Sequence, residues 1–249
     1  MSITMRNLRD DTYHFVRREI KTIFGISVIT TFISILINML IKPDINIISI
    51  IENKQIVNSH AIFDIINNMS IYEKKQLLKY SIFKILEFLI SKTFLLGTVI
   101  TFIMHLSSKE KKITSSLSIL FRFLPSLFIL NFFITFITQL GFMLFILPGI
   151  FLSILLAISP IILSFNKKNG IIDSIRLSAS ISLKHIHIIG TSVLLWMLIK
   201  FVFTTLLSNI NLINKNFIFF ILNINLNILF SILTIYLFRF YMLFCDIRD

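Results

Sequence analysis

Phe123–Phe165 reads FLPSLFILNFFITFITQLGFMLFILPGIFLSILLAISPIILSF, 43 residues without a single charge. One helix of that length would reach roughly 65 Å at a rise of about 1.5 Å per residue. The hydrocarbon core of a bilayer is only about 30 Å thick. The stretch must fold back on itself as two spans. Gln139-Leu140-Gly141 offers one place to turn, and Leu147-Pro148-Gly149 another. A turn at the second leaves a return of only about 16 residues, short for a span. The reading therefore places the turn at 139–142 and treats Pro148-Gly149 as a kink inside the fourth span.

Basic segments flank this hairpin on both sides. Lys109, Lys111, Lys112 and Arg122 precede it, and 166–187 follow it. In the second flank Ile172, Ile175, Ala179, Leu183 and Ile186 recur at spacings of three and four, with Asp173, Arg176, Ser180, Lys184 and His187 on another face. That pattern predicts an amphipathic helix on the membrane surface. Residues 1–22 give a second one: Leu8, Phe15 and Ile20 are placed against lipid and Arg6, Arg9, Arg17, Arg18 and Lys21 against phosphates. The remaining apolar runs complete six spans, at about 23–41, 86–106, 122–138, 143–165, 188–208 and 217–238. A long polar loop, 42–84, carries Asp44, Glu52, Asp64 and Glu73. Within it Ser70-Ile71-Tyr72-Glu73 is a capping box, which predicts a helix running on into the second span. The fold class is an all-α polytopic transmembrane bundle in one integral domain, 1–249, with amphipathic interfacial helices.

Composition agrees. Of 249 residues 56% are hydrophobic and 14% charged, against about a quarter charged in a soluble domain; mean hydropathy is +0.89. The net charge of +12 collects at the ends of apolar runs, which selects anionic headgroups as partner rather than nucleic acid. One face holds five Lys or Arg in the N-terminal tail, four in 107–122, four in 166–187 and two after the sixth span; the other holds six in 42–84 and Lys215. The bias predicts both termini in the cytoplasm and the 42–84 loop outside. The N-terminal charged part is long and no A-x-A site follows, so Ile23–Ile41 is read as a retained span. Cys245 is the only cysteine, so no internal disulfide forms. Gly and Ala are scarce and no G-x-x-x-G occurs, so close helix packing through small residues is not expected.

The candidate sites are scattered polar groups. Lys200 lies mid-span, one turn after Trp196, at a depth where a charge costs about 2.5–3.5 kcal/mol; snorkelling competes with function there. Arg239 ends the sixth span between Tyr236 and Tyr241, where a headgroup contact is expected. Lys84 precedes Glu87 by three residues and is expected to pair with it, while Lys92 follows inside the second span. Asn131, Gln139, Asn223, Asn225 and Asn227 are candidate interhelical hydrogen-bonders. His185-x-His187 points to different sides of a helix, and His14, His60 and His105 are dispersed, so no metal site is expected. No G-x-S-x-G, H-E-x-x-H or phosphate-cradling glycine loop is present. No catalytic, cofactor-binding or metal-binding residue is assigned.

Three stretches carry a resemblance. Leu147-Pro148-Gly149-Ile150, Ala157-Ile158-Ser159-Pro160 and Gly170–Ser178 resemble a superfamily of bacterial membrane domains that includes the membrane part attached to some glycerophosphodiester phosphodiesterases. More closely, Met1-Ser2-Ile3-Thr4, Phe63-Asp64 with Asn68-Met69-Ser70, and Ile235–Leu243 make the whole chain similar to the YciC family of inner-membrane proteins. The resemblance implies a bacterial inner-membrane location and a role sometimes discussed with envelope maintenance, with no established activity. The chain has no room for the phosphodiesterase barrel, so that activity does not carry over. The expectation is a non-enzymatic role in membrane organisation, through anionic lipids and membrane-protein partners. The alternative is a transporter or channel for a small solute or lipid, built around Lys200 and the Pro148-Gly149 break. Convergence of Lys200, Asn131 and Arg239 on one cavity would favour that alternative.

Overall fold

A computed structural model describes residues 5–40, 69–107, 113–165, 170–208 and 215–248. The loop acids Asp44, Glu52 and Asp64, together with His60, Lys109, Lys111 and Lys112, lie outside the described residues.

The helices are α1 (Met5–Leu40), α2 (Ile71–Ser107), α3 (Ile113–Leu144), α4 (Ile146–Leu156), α5 (Ser159–Phe165), α6 (Ile171–Lys184), α7 (Ile186–Ser208) and α8 (Lys215–Arg248). Six helical segments are long and apolar enough to cross a membrane, with α4 and α5 together forming the fourth. The fold is an all-α polytopic bundle. By contacts the chain divides into two compact units, Met1–Thr31 with Lys92–Asp249, and Phe32–Ser91.

α1 joins the basic lead-in to the first span, with a local departure from helical geometry at Glu19 (φ −104°, ψ 15°). Leu8 and Phe15 do not face lipid as the amphipathic reading placed them. They are 0% and 4% exposed, in the same core as Ile23 and Leu95, and only Ile20 stays outside. Burial beneath neighbouring helices gains for these side chains what lipid contact would.

α2 begins with the expected box. Ser70 N–H donates to Glu73 Oε2 at 2.8 Å, and Glu73 N–H donates to Ser70 Oγ at 3.2 Å. These bonds hold the exposed Glu73 carboxyl below its usual range, the backbone donor contributing most. The helix then runs unbroken for 37 residues, roughly 55 Å.

The hairpin turns later than expected. α3 continues through 139–142 to Leu144, and Phe145 alone is extended (φ −158°, ψ 159°) before α4 begins. Pro148 therefore lies in the first turn of α4 instead of kinking a span. Its missing N–H forfeits nothing there. Phe145 N–H donates to Gly141 O and Gly149 N–H to Phe145 O, so the amides on both sides of the bend are paired. The apex, Met143–Leu147, is wholly apolar and 71–78% exposed. The fourth span bends instead at Ala157-Ile158, just before Pro160.

Close packing does occur, by a route that a G-x-x-x-G search cannot see. A Cβ on Gly141 would sit 3.0 Å from the Cα of Gly149, so the backbones of α3 and α4 nearly touch. α6 packs against α4 and α5 through Ser174, Ser178, Ile181 and Ser182, and Ser178 Oγ–H donates to Leu155 O at 2.7 Å. Serine substitutes for glycine or alanine as the small residue. The apolar positions read as that helix's lipid face divide: Ile172 and Leu183 are exposed, while Ile175 is half-buried.

Candidate functional sites

Among the described residues, four groups of polar contacts lie along the spans. In the unit Phe32–Ser91, Glu87 is only 8% exposed. Ser34 Oγ–H donates to its Oε1 at 2.6 Å, and Lys84 Nζ donates to its Oε2 at 2.9 Å and to Asn38 Oδ1 at 2.8 Å. Lys84 Nζ also lies 5.8 Å from the Tyr80 ring centroid. The spacing of three residues did predict the Lys84–Glu87 pair. Ser34 and Asn38, on α1, carried no sequence signal. The network ties α1 to α2. Asn38, Tyr80, Phe83, Lys84 and Glu87 line a shallow crevice with no room for a bound water.

In the larger unit, asparagines join helices at two points. Asn131, 1% exposed on α3, donates to Thr93 Oγ1 of α2 at 3.0 Å. Asn227 of α8 donates to Thr31 Oγ1 of α1 at 2.9 Å. Asn223 and Asn225 bond back to carbonyls of their own helix, and Gln139 is exposed. An interhelical bond of this kind contributes about 0.6 kcal/mol on average.

At the ends that carry the N-terminal and C-terminal tails, Arg239 Cζ lies 4.7 Å over the Phe15 ring and Arg18 Cζ lies 5.7 Å from the same ring. Arg239 Nη1 pairs with Asp11 at 3.1 Å, and Arg18 Nε with Glu19 at 2.9 Å. Arg239 Nε is buried without an acceptor. One buried aromatic thus organises two guanidinium groups.

The fourth cluster joins α2, α7 and α8. Lys200 Nζ lies 5.4 Å from the Trp196 ring centroid, Lys92 Nζ lies 5.7 Å from that of Phe230, and the two rings pack at 5.6 Å and 54°. Lys200, Asn131 and Arg239 do not share a site. Each has a different partner, and nine residues of α8, about 13 Å of rise, separate Phe230 from Arg239. His185 packs edge-on against Phe240 and Phe244, while His187 is exposed.

Comparison with known proteins gives one consistent picture. A family model described as "Uncharacterised protein family (UPF0259)" matches residues 1–243. A UPF0259 membrane protein of Buchnera aphidicola subsp. Schizaphis graminum (strain Sg) is 70% identical over 245 residues, 98% of this chain and 99% of that one. Another from Buchnera aphidicola subsp. Baizongia pistaciae (strain Bp) is 36% identical over 98% of this chain and 97% of its own length. A third, from Yersinia pestis (strain Pestoides F), is 29% identical over 98% and 96%. No solved structure matches.

Proposed function

From the premise that the chain belongs to the UPF0259 (YciC) family of membrane proteins, we propose that it is a non-enzymatic inner-membrane protein that organises the envelope by holding anionic headgroups. Both termini lie in the cytoplasm in this reading. The observation that carries it is the Arg18–Phe15–Arg239 stack, which gathers two guanidinium groups on one ring beside the basic N-terminal lead-in. Guanidinium presents a planar fork of donors that suits phosphate oxygens. Asp11, 48% exposed, engages one edge of Arg239 and pins its orientation.

Two measurements test this. In nanodiscs of phosphatidylcholine with added phosphatidylglycerol, Arg239→Gln is expected to retain phosphatidylglycerol about fivefold less well than the unchanged chain, as loss of one interfacial charge implies. Equal retention would sink the headgroup reading. Alkaline phosphatase fused after residue 68 is expected to be active, and fused after 112 or 169 inactive, because the fusion needs export to fold. The reverse pattern would overturn the orientation.

A further inference from the structure

We propose that the apex of the α3–α4 hairpin, Met143–Leu147, is seated among the acyl chains of the leaflet opposite the basic flanks, so that lipid and not water covers the turn. The proposal needs neither the Arg239 stack nor a choice of which face is cytoplasmic.

The length of the two arms limits how far the turn can reach. Arg122 is exposed and marks the near end of the third span, and 22 residues separate it from Leu144, about 33 Å of helix. The return arm is shorter. Ile146–Phe165 is 20 residues, a rise of about 29 Å, and the bend at Ala157-Ile158 takes something from that. Asn166, Lys167 and Lys168 follow at once in the sequence. At the average tilt of about 20°, the return arm covers about 27 Å of membrane. A hydrocarbon core of about 30 Å therefore closes over the turn. For the turn to stand in water, Lys167 and Lys168 would have to enter the hydrocarbon from the near side, where charges are costly.

The surface of the apex fits that position. Met143, Leu144, Phe145, Ile146 and Leu147 are all exposed and all apolar. Turns that face water draw on Gly, Asn, Asp and Ser, and the bend at Phe145 uses none of them. Between Phe132 and Phe151 the exposed side chains are apolar except for Gln139. Gln139 lies 17 residues beyond Arg122, about 25 Å, so the arm places it beneath the far boundary wherever the turn sits. The backbone is suited to lipid as well. The N–H groups of Phe145 and Gly149 are bonded within the hairpin, and Pro148 has none to satisfy. An uncharged apolar tip at this depth matches an acyl chain, and it offers no polar side chain by which a protein partner would be selected.

Cys245 is the only cysteine, so a Cys245→Ser chain takes a single nitroxide label at Leu147→Cys or at Met143→Cys, both exposed positions. The full chain is reconstituted in phosphatidylcholine liposomes at large lipid excess. Collisions of the label are read with oxygen, which concentrates in hydrocarbon, and with a water-soluble nickel chelate. The expected result is strong oxygen contact and loss of nickel contact. A label at Leu195→Cys, exposed within the fifth span, should behave alike, and one at Ile71→Cys, exposed at the head of α2, should show the reverse. Shortening the acyl chains tests the arm length itself: nickel contact is expected to appear once the hydrocarbon core is thinner than the return arm, and to vanish again in thicker bilayers. Nickel contact equal to that of the Ile71→Cys label in bilayers of ordinary thickness overturns the proposal. So does shielding from both reagents, or spin–spin broadening that persists at large lipid excess, since protein and not lipid would then cover the turn. The second label position repeats the measurement should the first variant fail to fold.

Discussion

Gly141→Val is expected to lower the stability of the bundle by about 1–3 kcal/mol, the usual cost of overpacking a close contact. An added Cβ would lie 3.0 Å from Gly149 Cα and 3.1 Å from Gly149 N. Both are backbone atoms, and they yield only if α3 and α4 move apart. Gly149→Ala contrasts with this. Its new methyl would overlap the ring of Phe142, but that ring is 38% exposed and is free to swing outward. Its cost is therefore smaller and is expected to vanish in a Phe142→Ala background. Gly25 is the control. Nothing lies within 4 Å of its Cβ position, so Gly25→Ala should gain a few tenths to about 1 kcal/mol from helix propensity. Midpoints of denaturant-induced unfolding in detergent rank the set. A Gly141→Val protein as stable as the parent would mean that the helices do not touch at this point.

Glu87→Ala is expected to cost about 2 kcal/mol by the same assay. Breaking a fully buried pair costs about 3–5 kcal/mol, but the Lys84 side chain is 36% exposed and recovers part of that through solvent. Ser34 also loses its acceptor. Glu87→Gln should cost less, because the amide oxygen still accepts from Ser34. The decisive comparison is Glu87→Ala with Lys84→Met. If the penalty comes from a stranded ammonium, the double variant recovers most of it. A double variant as unstable as the single one would trace the loss to packing.

These two sites also show where the amino-acid sequence stops being informative. The span count followed from hydrophobic length, because no other structure hides 43 uncharged residues in a bilayer. The capping box and the Lys84–Glu87 pair are local in sequence, so their spacing revealed them. Ser34, Asn38 and Phe15 act across tens or hundreds of residues, and nothing in their local pattern sets them apart. The turn was misplaced for a related reason. A Pro-Gly dipeptide reads equally well as a break or as the opening turn of the next helix, and the backbone needed only Phe145 to reverse direction. The expectation that small residues would not bring helices close failed because a single glycine on each of two helices, aligned by the hairpin, has no periodic signature in either.

The apex of the α3–α4 hairpin bears on how the protein enters its membrane. A pair of spans must lead with its turn, and a turn with charges or open amides would resist passage through hydrocarbon. Here the leading segment, Met143–Leu147, offers only apolar side chains, and the N–H groups of Phe145 and Gly149 are already paired. In the proposed orientation the lysine-bearing flanks remain on the side of synthesis. Biogenesis of the third and fourth spans is therefore expected to be one concerted event, with no hydrophilic cargo to drag across and no stage at which one stands alone in lipid.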